Sequence, residues 1–311
     1  ILPLAMFRNK TVGVSSIASV LIGVAMFGGL AALPLYLQIV KGATPTEAGL
    51  LLLPMTLGIM IGSILSGQII SRTGRYRVFP IVGSALLTIS LFIFHYVAYD
   101  TPLWQTMIVM TMFGVGLGFN FQPLTLAVQN AVPPQQIGVA TSTATFTRQI
   151  GGTLGTAVFL SILFSTASEK ITTALAAAVP TQEFQAALAD PANAAVAEQF
   201  AAAQSGGGAA TSVLSDSSFL TGLDERLAKP FLIGFSEAMD LVFLTGSAVM
   251  VLGFLVMLML PNVELRKSAS YGQRENDGAP SDADAANDVD DAAVLAHPRG
   301  PAPRPESGAE L

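Results

Sequence analysis

The chain has no cysteine and only two histidines, His95 and His297, among its 311 residues. Disulfides, thiolate nucleophiles and cysteine-based zinc sites are excluded, and two histidines do not make a metal cluster. Charge is scarce as well. Charged residues make up 12% of the chain against 51% hydrophobic ones, and the mean hydropathy is +0.59. A soluble domain of this length needs far more charge to cover its surface. There is no basic patch interleaved with aromatics, so nucleic acid is not an expected partner. No nucleophile–base pair stands out either. An enzyme is not expected, and neither a metal nor a cofactor is called for.

The net charge of −6 belongs to one end. From Ser268 to Leu311 there are nine acids and three bases, and the remainder holds twelve of each. This stretch, placed at 266–311, is Asp-, Ala- and Pro-rich and reads as a disordered acidic tail. The chain opens on Ile1, which is expected of a piece of something longer.

What is present is long apolar runs. About 20 apolar residues cross the hydrocarbon core, and in lipid every backbone group must be satisfied within the segment, so such runs mean helices. Six spans are predicted, at about 12–39, 48–70, 78–99, 103–128, 139–165 and 231–260 (spans A to F). The run from Thr11 to Val40 is too long for a signal peptide. Pro133-Pro134 divides the uncharged stretch from Thr101 to Thr147 into spans D and E. The fold class is all-α integral membrane. Residues 166–230, rich in Ala and Gln with Gly206-Gly207-Gly208, read as a mobile loop outside the bilayer.

Lys and Arg in the flanks set orientation. With both ends of the chain in the cytoplasm, that side collects Arg8, Lys10, Arg72, Arg75, Arg77, Arg266 and Lys267. The other side collects Lys41, Lys170, Arg226 and Lys229. His95, Tyr96, Tyr99 and Trp104 fit an interfacial belt at the C–D turn. A multi-pass protein of the cell membrane, with the bilayer as its first partner, is expected.

Small and polar residues inside spans carry the finer information. Gly58, Gly62 and Ser66 share one face of span B, and Thr147, Gly151 and Gly155 share one face of span E. They serve either as packing within the bundle or as smooth faces toward another moving domain. Asn120, Gln122 and Thr125 on span D, with Tyr36 and Gln38 on span A, either bond between helices or line a water-filled, solute-binding cavity. Arg148 is the only charge between Thr101 and Ser168 and either snorkels to the edge or acts as a buried cation. Glu237 and Asp240 read as solvated carboxylates near the start of span F, and no span shows a convincing internal acid.

Gly67, Ser71, Arg72, Gly74, Arg75 and Arg77 at the B–C turn resemble the cytoplasmic loop motif of the major facilitator superfamily, with Ser71 where that motif has Asp. Leu33-Pro34-Leu35-Tyr36-Leu37-Gln38, Glu47-Ala48-Gly49-Leu50, Leu53-Pro54 and Arg148-Gln149-Ile150-Gly151-Gly152 resemble the fourteen-helix drug:proton antiporter branch of EmrB/QacA type. The resemblance covers about residues 1–265. It implies the C-terminal six-helix domain, built from two three-helix repeats, of an efflux carrier driven by a proton gradient. Partners would be the missing N-terminal half and small amphiphilic or cationic substrates. It also implies that A and D line a central cavity, that B and E, with Arg148, face the other half, and that the proton-carrying acid lies outside this chain. Other readings are an exporter of a lipid or cell-envelope metabolite, or a non-transporting scaffold acting through the outer loop.

Overall fold

The computed structural model describes residues 9–190, 193 and 223–261. Gly206–Gly208 and the acidic tail fall outside the described residues. All regular structure among the described residues is helical.

Helix α1 runs Lys10–Leu35, capped by the Asn9 side chain, which accepts from the Thr11 N–H. Pro34 lacks an N–H, and the helix loosens into a π-helical turn at Tyr36–Val40 directly after it. Short α2 (Pro45–Leu51) opens on a capping box in which Thr44 and Glu47 satisfy each other's backbone N–H. Helix α3 runs Leu53–Thr73 and ends on Gly74, whose φ of 69° is the left-handed conformation that glycine adopts without penalty. Helix α4 is Val78–Phe94, α5 is Leu103–Asn130, α6 is Ile137–Ala178, α7 is Gln182–Leu188 and α8 is Glu225–Leu258. Five of these segments are long and apolar enough to cross a membrane, and α4, at 17 residues, is a shorter apolar helix.

Three boundaries differ from the predicted spans, each for a local reason. Helix α4 stops at Phe94 rather than near Tyr99, because His95, Tyr96 and Val97 turn back on Leu91, Ile93 and Phe94. Helix α6 passes Ser165 and ends only at Ala178, before Pro180. No Gly or Pro interrupts it after Gly155, and its Ala-rich end has high helix propensity. Helix α8 begins at Glu225 rather than Phe231, since the Asp224 carboxylate caps it by accepting from the Arg226 N–H. Pro230 is accommodated inside it. The two ends of the predicted 166–230 loop are therefore folded, and Phe184 and Ala187 of α7 are buried in the main core.

The most intimate pairings are α3 with α5 and α1 with α6, that is, B with D and E with A. They are built alike. Added Cβ atoms at Gly58, Gly62 and Gly114 would strike the backbone of Thr111, Val115 and Met55. At Gly151, Gly155 and Gly23 they would strike Val20, Val24 and Arg148. The two sets match position for position, so α1–α4 and α5–α8 are two copies of one three-helix plan that exchange partners across a pseudo-twofold axis. Gly58, Gly62, Gly151 and Gly155, with buried Ser66, lie inside the bundle and not on smooth faces toward another domain. Those columns let backbones of this chain approach each other.

Candidate functional site

The bundle has two ends. One carries the Arg72–Arg77 turn and the starts of α1 and α6. The other carries the Tyr96–Trp104 turn and the π-helical turn.

At the arginine end, Gly67 has open space around it, and Arg72 and Arg75 are exposed. Arg77 Nη2 donates to the Leu258 carbonyl at 2.8 Å, at the C-terminal end of α8, where a cation complements the helix dipole. Tyr76 is buried, and its hydroxyl donates to the Pro261 carbonyl at 3.1 Å. The motif turn thus locks the first repeat onto the last helix, a role for Arg77 beyond setting topology. Tyr76 lay unnoticed between two arginines. The Ser71 hydroxyl donates back to the Gln68 carbonyl.

The five polar residues expected to share a cavity do not form one cluster. Gln38 and Tyr36 sit about 40 Å along α1 from its start, whereas Gln122 lies about 12 Å from the opposite-running end of α5 at 1.5 Å per residue. Tyr36 is buried and its hydroxyl donates to the Ala98 carbonyl at 3.2 Å. Lys41 Nζ donates to the Tyr99 and Thr101 carbonyls, both at 2.7 Å, and so ties the same two turns. Burial pushes the Lys41 ammonium below its ordinary value, while Asp100 opposes that shift. Gln38 is half-buried. Asn120 is fully buried: its Nδ2 donates to the Gly116 carbonyl and packs where a Gly83 side chain would stand. Gln122 is exposed, and half-buried Thr125 bonds the Phe121 carbonyl. Gln129 Nε2 donates to Thr141 Oγ1 at 2.8 Å, a polar link between α5 and α6.

Arg148 holds its guanidinium 4.7 Å from the centre of the Phe121 ring. Its Nε is buried with no hydrogen-bond partner among the described residues. Phe121 is nine residues, roughly 14 Å, from the end of α5, so the guanidinium packs within the length of the helix pair and not at its end.

Asp240 lies fifteen residues after Glu225, inside α8, and is half-buried with Oδ1 sealed from solvent and unpartnered among the described residues. His95 Nδ1 approaches the Asp240 backbone carbonyl at 3.2 Å. Glu237, one turn earlier, is exposed and pairs with Lys170 of α6 at 3.2 Å. The pair of acids therefore splits: Glu237 is exposed, and Asp240 is half-buried inside α8, at the level of the His95 turn. Three further buried hydroxyls went unnoticed on α1. The Oγ atoms of Ser15, Ser16 and Ser19 have no hydrogen-bond partner among the described residues.

The family profile described as Major Facilitator Superfamily matches residues 2–156. The chain is 34% identical to a tetracycline resistance determinant of Streptomyces rimosus, over 85% of this chain and 76% of that protein. It is 31% identical to an uncharacterised MFS-type transporter of Mycobacterium tuberculosis, over 85% of this chain but 34% of that relative, so it spans about a third of the latter's length. A multidrug transporter, MdtP of Bacillus subtilis, is 27% identical over 47% of this chain and 27% of its own length. With its apolar helices and paired three-helix repeats, this multi-pass membrane protein belongs to the major facilitator superfamily.

Proposed function

We propose that the chain is the C-terminal six-helix domain of a proton-driven exporter of drugs or other amphiphiles, working by alternating access. The observation that carries this reading is the exchange of glycine-lined pairings between two three-helix repeats, the architecture in which rigid halves rock against each other. The relatives' names, tetracycline resistance determinant and multidrug transporter, favour efflux. The outer faces of α3 and α6 expose rows of Leu, Ile, Met and Phe, including Leu57, Ile61, Ile150 and Leu154, and would meet lipid or the other half. Both ends of the chain would face the cytoplasm of a cell membrane, and the fourteen-helix branch remains the assignment that the motifs favour.

Asp240 supports proton coupling from within this half. A half-buried carboxylate inside an apolar helix is costly when charged, and such residues line proton paths in membrane carriers. The solute contacts would come from Gln122, Thr125 and Gln38, which are not sealed, more than from Tyr36 or Asn120, which are.

The test is export by the full-length protein in proteoliposomes under an imposed proton gradient. A Gln122→Ala, Thr125→Ala double variant should lower export of at least one amphiphilic dye about fivefold. Unaltered export of a panel of dyes would reject the assignment of these residues, and lack of any gradient-driven export by the wild type would reject the transport reading.

A further inference from the structure

We propose that Arg148 is a binding residue for a carboxylate, or a like oxyanion, on the face shared by α5 and α6. The inference rests on the transport reading above and adds a chemical class to it.

The two repeats show what is unusual about this position. Gly114 packs on the Met55 carbonyl, and Gly23 packs on the Arg148 carbonyl. Met55 and Arg148 are therefore counterparts. Met55 is buried and apolar, as such a place in the plan requires. Its counterpart instead holds a cation about 14 Å from the end of α5. An arginine within a membrane span is costly and is ordinarily paired or turned to water.

The described residues supply no such pair. The ion pair of Lys170 with Glu237 lies at the other end of the bundle. What Arg148 has is the Phe121 ring, with Cζ 4.7 Å from its centre, a contact that stabilises a cation weakly. Among the described residues Nε is sealed without a partner, and no hydrogen bond or ion pair engages the two terminal nitrogens. A guanidinium held beside an aromatic ring, with its planar donor edge unengaged by the described residues, can take a carboxylate through two parallel N–H···O bonds. Packing needs none of this, as Met55 demonstrates. The carboxylate comes either from the transported compound or from an acidic side chain elsewhere in the full-length transporter.

A pair of dyes separates the sources. Rhodamine 110 carries a free carboxyl group, and rhodamine 123 is its methyl ester. Binding to the detergent-purified full-length protein is read by fluorescence anisotropy, and efflux by vesicle assay. The variants are Arg148→Met, which installs the residue of the other repeat, and Arg148→Lys. If the compound supplies the carboxylate, Arg148→Met weakens rhodamine 110 binding about tenfold and leaves rhodamine 123 unchanged. If a side chain supplies it, Arg148→Met lowers binding and efflux of both dyes alike and Arg148→Lys restores both. Wild-type behaviour of Arg148→Met toward both dyes would overturn the proposal. So would equal loss in the Met and Lys variants with the ratio between dyes unchanged. Anisotropy reads the site even where the wild type fails to export, so failure of the transport reading is seen separately.

Discussion

Single residues at the arginine end do structural work that their charge alone does not announce. Arg77 and Tyr76 reach two carbonyl acceptors three residues apart where α8 ends, 181 and 185 residues away in the chain. Arg77→Ala should destabilise the bundle by about 1 kcal/mol, less than is usual for a charge-assisted bond because the contact is solvent-exposed. Tyr76→Phe should cost about as much, since it leaves the part-buried Pro261 carbonyl without this donor. Arg75→Ala, exposed and without such a bond, should leave the apparent Tm unchanged; equal shifts for Arg75 and Arg77 would remove the clamp from consideration. At the other end Asp240→Asn keeps shape and removes the ionisable group. Dye binding should persist while gradient-driven export falls at least tenfold. Normal coupling in that variant would return the proton-carrying role to the rest of the transporter.

At the level of the helices, the glycine contacts permit a matched series. Gly151→Ala and Gly58→Ala meet backbone, not flexible side chains, so the helices must separate. Each should lower stability by about 2 kcal/mol, within the usual range for overpacking. The two effects should be alike, because the positions correspond. Gly67→Ala and Gly138→Ala meet open space and should be silent. Thermal unfolding in detergent reads all four. This element-level order was largely legible in the sequence: spans D and E were separated by Pro133-Pro134, and the spacing of Gly58, Gly62 and Ser66 marked a packing face. Which helix each face meets was not legible, because periodicity gives a face and no partner. Hydropathy also located membrane crossings and not helix ends. It cut α6 near Ser165 although the helix continues to Ala178, and it began α8 after Pro230 although the helix starts at Glu225. Asn120 looked like a cavity amide because sequence cannot tell a side chain turned to its own helix from one turned outward.

For the whole molecule, the choice between a transporter and a scaffold acting through the 166–230 segment comes down to how much of that segment the bundle needs. Leu175, Phe184 and Ala187 are buried in the main core, so removing everything from Ala174 onward would strip large apolar side chains whose loss costs about 3–5 kcal/mol each for the largest. Such a deletion would disable either kind of protein and decide nothing. A narrower cut is possible. Asn193 Nδ2 donates to the Ala187 carbonyl and lies 3.5 Å from Asp224 Oδ2, so the two flanks of residues 194–222 already stand together. Replacing 194–222 with a four-residue Gly-Ser linker should close the gap without strain, and loop-closure entropy changes only slowly with length. In the full-length protein this variant should keep both its apparent Tm and its dye export within about twofold of wild type. A carrier works through its membrane-spanning helices, and those described here are untouched. Loss of export with unchanged thermal stability would instead assign the activity to the excised residues and favour the scaffold reading.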